Sequence, residues 1–326
     1  MMENVIQNEG VRHIAEKILI SLDSETVLNC RGVSKSFKKV INNPKIWLKS
    51  VKSTSREVIK HWTKIQLEPL RRNASSYNEE DQFFLKEIIH ENKTSYLMQV
   101  EKLMTSWDFV SDLQPDTFEC EQASLCLLRV KREFCDISKS ADLLSPILNA
   151  NILVDHKKAG LTEKIDRQLK AQLAKTPLQT ASENQSYELA IWYLTKKESS
   201  ANFNILLWHI PLQTAAKLGH MEGIISLQNK LRHKYLWFSN PTKPNCILDS
   251  NNLHAIESPL VLAVKHNNVK IAEMLLPLVK DVSTRYKEGL KSALHQAAEN
   301  GNFELVNLIH RNSLQSFLTD AFWKRN

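Results

Sequence analysis

One six-residue phrase returns four times in the second half of this chain, and that recurrence constrains the fold more than any other feature. The copies are Thr176-Pro177-Leu178-Gln179-Thr180-Ala181, Ile210-Pro211-Leu212-Gln213-Thr214-Ala215, Ser258-Pro259-Leu260-Val261-Leu262-Ala263 and Ser292-Ala293-Leu294-His295-Gln296-Ala297. Their second positions fall at 177, 211, 259 and 293, which makes the steps 34, 48 and 34 residues. A fixed period of this length predicts stacked repeats, each burying its apolar face against its neighbours, and excludes a single closed core for that region. In each copy the Pro, where present, pre-sets the first helical turn, since its missing N–H is one that the turn leaves unpaired anyway. The Leu points inward and the Ala lets neighbouring helices approach.

The phrase resembles the Thr-Pro-Leu-His-x-Ala signature of ankyrin repeats, and the fourth copy carries it furthest, from Ser292 through Ala298-Glu299-Asn300-Gly301 to Val306. A second helix follows in each unit, with Ile271, Met274, Leu275 and Leu278 in the third copy and Phe303, Val306 and Leu308 in the fourth. Tetratricopeptide repeats share the 34-residue period, but their Trp, Gly and Tyr positions are absent here. Ankyrin repeats place Gly after the first helix and in a β-turn. Gly219 and Gly301 meet the first need and Gly289 alone the second, so β-hairpin fingers are not expected in every repeat. The 48-residue step places its excess in Arg232 to Glu257, a long loop holding Tyr235, Trp237 and Phe238. Aromatic side chains anchor protein interfaces, which makes these three the candidate target-binding residues. The competing expectation is that they cover the end of the preceding helix.

Composition narrows the function class. An apolar fraction of 42% with 24% charged residues is that of an ordinary folded protein, and 326 residues predict more than one folded unit. No apolar run is long enough to cross a membrane, and residues 1 to 20 lack the pattern of a secretory leader; both favour the cytoplasm or nucleus and no membrane insertion. The five cysteines, Cys30, Cys120, Cys126, Cys135 and Cys246, form no Cys-x-x-Cys pair and read as reduced thiols. No phosphate-cradling Gly loop, His-Glu-x-x-His or nucleophile elbow is present. The expectation is a chain with no catalytic residues, no cofactor and no metal.

The net charge of +7 is concentrated. Twelve Lys or Arg lie between Arg31 and Arg72 against Glu57 and Glu68, a local +10 that leaves the remainder near −3. Lys52, Arg56, Lys60 and Lys64 recur every four residues and make one positive stripe on a helix. Without interleaved aromatic residues or a nucleic-acid motif, the stripe reads as a solvated face, and nucleic acid is not the expected partner.

Within that basic region, Ile14, Ile18, Leu19 and Leu22 keep helical spacing, Asp23 or Ser24 can cap a second helix, and Val27 to Val40 supply another apolar face, with three short helices closing near Trp47. About forty residues bury too little surface to stand alone, so such a bundle leans on a partner or a neighbouring domain. The stretch looks like an F-box. The matching features are Glu16-Lys17-Ile18-Leu19, Leu22-Asp23, Glu25-Thr26-Val27, Val33-Ser34-Lys35-Ser36-Phe37, and Asn43-Pro44 ahead of Trp47. His13-Ile14 stand where the family has Leu-Pro, and Ser34 and Phe37 where it has Cys and Trp. The resemblance implies docking on a Skp-family adaptor, and through it a cullin scaffold and RING subunit. It divides Ile14, Ile18, Leu19, Leu22, Val27, Val33 and Phe37 between the module's own core and the adaptor contact.

The expected architecture is all-α: an N-terminal three-helix F-box bundle at 9–52, a helical spacer at 53–118, a helical region at 119–175 holding a candidate degenerate ankyrin repeat around Ser145-Pro146, an ankyrin-repeat solenoid at 176–313, and a capping segment at 314–326. The expected function is the substrate-recognition subunit of an SCF-type ubiquitin ligase whose repeats bind a target protein. The alternatives are an ankyrin scaffold whose basic N-terminal bundle meets nucleic acid or an anionic surface, and an F-box protein that binds the adaptor without recruiting a ligase.

Overall fold

The computed structural model describes residues 9–72, 78–149, 155–198, 205–234, 259–276 and 293–312, and among them there is no strand. The chain divides into two compact units, Met1–Thr180 and Ala181–Asn326.

In the first unit three short helices, α1 (Glu9–Ser21), α2 (Ser24–Cys30) and α3 (Lys35–Ile41), precede three long ones, α4 (Pro44–Arg72), α5 (Glu79–Ser106) and α6 (Phe118–Asp142). A short helix α7 (Leu144–Asn149) and a longer α8 (Asp155–Ala174) follow. The punctuation is local chemistry. Asp23 accepts from the Thr26 N–H at 2.9 Å and its other oxygen from the Thr26 hydroxyl at 2.7 Å, which starts α2. Ser34 accepts from the Phe37 N–H at 3.1 Å and starts α3. The hydroxyl at position 34 is therefore a helix cap.

Trp47 does not close the third helix. Pro44 opens α4, where a missing N–H is tolerated, and Trp47 lies in its first turn, fully buried, with Nε1 donating to the Ile41 carbonyl at 2.6 Å. That bond satisfies a carbonyl at the end of α3 and fixes the corner. The junction drawn at residues 52 and 53 falls inside α4, which runs unbroken to Arg72. Trp47, Val51, Val58, Ile59 and Trp62 make the buried stripe of α4, which packs most extensively on α6 and next on α5. The facing stripe of α6 includes Leu127, Val130 and Phe134. Tyr96 of α5 hydrogen-bonds Asp166 of α8, so α8 closes the other side. On α5 the stripe from Tyr96 to Trp107 is buried, whereas Phe84 and Ile88 of its N-terminal half are exposed. The 25-residue α6 and 20-residue α8 fill the stretch read as a candidate degenerate repeat. Among its described residues none has a positive φ.

Beginning with α9 (Pro177–Glu183), which spans the division between the units, the chain forms four helix–turn–helix hairpins. These are α9 with α10 (Tyr187–Lys197), α11 (His209–Leu218) with α12 (Met221–Lys234), α13 (Pro259–Lys265) with α14 (Val269–Leu275), and α15 (Ala293–Glu299) with a helix at 303–312, here α16. Each turn has one left-handed residue: Gln185 (φ 59°), Gly219 (φ 71°), Asn267 (φ 55°) and Gly301 (φ 65°). Their spacing repeats the 34, 48 and 34 of the sequence phrase. After each, an N–H reaches back five residues: Ser186 to Ala181 at 2.8 Å, His220 to Ala215 at 3.0 Å, Asn268 to Ala263 at 2.8 Å and Asn302 to Ala297 at 3.1 Å. This closure satisfies carbonyls that the first helix would leave unpaired and turns the chain onto the second helix.

First helices pack on first helices, α11 on α13 and α13 on α15, and second on second, α10 on α12 and α12 on α14. The phrase's alanines are all but fully buried, as are Leu178 and Leu260. Asn side chains fasten neighbours: Asn268 Nδ2 donates to the Ala216 carbonyl at 2.9 Å and Asn300 Nδ2 to that of Val264 at 2.8 Å. Close approach is sharpest at Gly223, where a Cβ would lie 2.5 Å from the Tyr187 ring. Tyr187 occupies the second position after its left-handed residue. The equivalent in the last hairpin is Phe303, 81% exposed, and Leu294 in the first helix of that hairpin is exposed as well. No further described hairpin follows to cover them.

Candidate functional site

The seven apolar residues singled out in the N-terminal module separate by burial. Leu19 and Val27 are 1% and 0% exposed and belong to the chain's own core. Ile14, Ile18 and Val33 are 56%, 54% and 70% exposed, and Leu22 and Phe37 are half-buried. Leu28, which sequence spacing did not single out, joins the open set at 40%. Leaving this many aliphatic side chains in water on one small module is unfavourable by roughly 1.5 to 3 kcal/mol for each that a partner could fully bury.

The same module is held from behind by α6. Lys131, 4% exposed, donates through Nζ to the carbonyls of Ile20 at 2.7 Å and Leu22 at 2.8 Å, the last carbonyls of α1 and its exit. Its ammonium lies 5.8 Å from the centre of the Trp47 ring. Burial pushes its pKa below the ordinary value near 10.5, opposed by the neighbouring Cys135 and Asp23. Ser24 donates to the Leu128 carbonyl at 3.0 Å. At the other end Glu121 receives Arg31 and the Asn42 amide, the latter at 3.2 Å, while Arg31 Nε also donates to Asn42 at 3.0 Å. Two clamps on one helix thus hold α1 to α3 against α6. Lys39 adds an exposed pair with Asp116 at 3.2 Å. Asp23 titrates below the ordinary carboxylate value because of the Thr26 hydroxyl and then the Thr26 N–H, so the α2 cap is charged at neutral pH.

The basic stripe is partly neutralised. Lys52 reaches Glu101 of α5 at 2.7 Å and Arg56 binds its other oxygen. These two hydrogen bonds, first from Lys52 and then from Arg56, hold Glu101 below the ordinary carboxylate value. Lys60 and Lys64 remain exposed.

Among the described residues no three His, Cys, Asp or Glu side chains are grouped to hold a metal ion, and no helix is long and apolar enough to cross a membrane. Cys30, Cys120, Cys126 and Cys135 form no disulfide among the described residues. Burial raises the pKa of both Cys120 and Cys135, with Asp116 adding to the first, so neither is poised as a thiolate nucleophile. Tyr235, Trp237, Phe238 and Cys246 lie outside the described residues, as does the segment 314–326.

Residues 12–49 match the model of the F-box domain family. No curated protein and no solved structure matches the chain. The N-terminal module is thus an F-box domain, which points in general terms to an SCF adaptor role and to Skp and cullin-type partners, and F-box proteins are in general non-catalytic adaptors. No family match covers the hairpin repeats; what stands for them is four hairpins of constant turn geometry.

Proposed function

We propose that this chain is the substrate-recognition subunit of an SCF-type ubiquitin ligase, working in the cytoplasm or nucleus. The single observation that carries the reading is an F-box whose aliphatic side chains Ile14, Ile18 and Val33 stay open while its other side is clamped to α6. Leu22 and Phe37 border that open set, and Leu19 and Val27 support it from within. A Skp-family adaptor would cover it and bring a cullin–RING assembly. The four hairpins act as ankyrin repeats that hold the target, with Tyr235, Trp237 and Phe238 as contacts proposed from sequence. The mechanism is tethering: a held target lysine gains effective concentration near the charged ubiquitin carrier, and no bond is made by this chain.

Capture of a cullin by the immobilised full-length chain tests the reading. Cullin should be retained only when a Skp-family adaptor is present, and Ile18→Asp, placed on an exposed helix face, should lose it. Cullin retained equally by the folded variant, or never retained with the wild-type chain, overturns the assignment.

A further inference from the structure

Helices α4 and α5 pack against each other, and toward the C-terminal end of α4 residues of both line a groove of about 480 Å³. Leu67, Leu70 and Ile89 supply its aliphatic lining, and Arg71, Lys86 and Lys93 supply its cations. His90 is the fourth basic side chain there, and no carboxylate lines it. A second hollow, about 510 Å³, shares Lys93 and extends the channel along the same two helices past Lys60, Ile59 and Leu97. The carboxylates there are Glu57 and Glu101, and Glu101 is already taken by Lys52 and Arg56. Among the described residues no ion pair engages Arg71, Lys86 or Lys93.

We infer that this α4–α5 groove binds an acidic peptide segment that carries bulky aliphatic side chains. Charge complementarity calls for the carboxylates: three guanidinium and ammonium groups around one hollow repel one another until an anion lies between them. The lining calls for the side chains, because Leu67 and Ile89 are only half-buried and an apolar occupant would remove the rest of their surface, over the buried Leu70, from water. A nucleic-acid strand satisfies the charge alone: no Phe, Tyr or Trp lines the groove as a stacking platform for bases, and a phosphodiester backbone leaves the aliphatic lining wet. The site is distinct from the F-box face and does not depend on adaptor docking.

Fluorescence anisotropy of the full-length chain with a labelled peptide of alternating glutamate and leucine reads this out. Saturable binding is expected, weakened about tenfold by Lys86→Glu with Lys93→Glu and left unchanged by reversal of Lys102 and Lys164, cations that do not line the groove. Ile89→Ser should also weaken it. An oligoglutamate peptide and an oligothymidylate strand should bind more weakly than the glutamate–leucine peptide. Absence of binding overturns the inference, as does equal loss with both charge-reversed pairs. Equal affinity for oligoglutamate or oligothymidylate overturns it too, since either would reduce the groove to a diffuse positive field. Far-UV circular dichroism checks the fold of each variant, and Arg71→Ser replaces the lysine pair if that pair fails to fold.

Discussion

Replacing Lys131 by Met should loosen the F-box without disturbing the long helices. The lysine donates two charge-assisted hydrogen bonds, to Ile20 and Leu22, each worth about 1.5 to 3 kcal/mol. Against this stands the cost of burying its ammonium, the cause of its lowered pKa. Met keeps the aliphatic stem, so the variant loses only the polar end, with the ammonium's approach to the Trp47 ring, and leaves the last carbonyls of α1 unpaired. A net loss of about 3 kcal/mol is expected, equivalent to a population of the opened module raised by about two orders of magnitude. Native-state hydrogen exchange on the full-length chain measures it: amides of α1 and α2 should lose about a hundredfold protection, while those of α4 around Ile59 keep theirs. Alkaline pH supplies a second readout. The folded-state pKa lies below the unfolded one, so between the two values the unfolded chain holds the extra proton and stability rises with pH. That rise should be present in the wild-type chain and missing in Lys131→Met. Unchanged protection in α1 and α2 would refute the clamp.

Two further perturbations probe the hairpins. Gln185 adopts the left-handed conformation without glycine's freedom and is solvent-exposed, so Gln185→Gly should stabilise the chain by about 1 kcal/mol in urea unfolding, and a loss of stability would contradict the turn geometry. Tyr187 is buried, its hydroxyl meets no partner among the described residues, and burial pushes its pKa up to about 12. The unfolded tyrosine ionises first, near 10, so wild-type stability from this group is full below that value and falls as pH climbs to about 12. Tyr187→Phe should remove that alkaline loss and leave neutral-pH stability equal or higher by up to about 1 kcal/mol, which pH-dependent thermal unfolding will show.

The hairpin register was legible because it depends on residues that only a few side chains can replace. Ala sits where helices meet, and Gly or Asn stands in three of the four left-handed turns; Gln185, the fourth, gives no such signal and is found only by its distance from Gly219. The starts of α2 and α3 were legible for a similar reason, since Asp23 and Ser34 act on amides three residues away. Trp47 was misplaced because Asn-Pro can end one helix and open another, and local sequence does not choose between them. The clamps on α6 were invisible. Lys131 lies more than a hundred residues from the carbonyls it binds, and in sequence it is one lysine among many. The open half of the F-box face was equally hidden: Leu19 and Ile18 are neighbours with the same chemistry, and only packing against α4 and α6 decides which of them water reaches.

The central claim is that this F-box, already clamped to its own chain, keeps a free face for an adaptor. Light scattering coupled to size-exclusion chromatography of the full-length chain mixed with a Skp-family adaptor at moderate salt tests it most directly. The account predicts a one-to-one complex that Val33→Asp and Ile18→Asp dissolve while the folded chain elutes unchanged. Separate elution of a folded wild-type chain and the adaptor would contradict it.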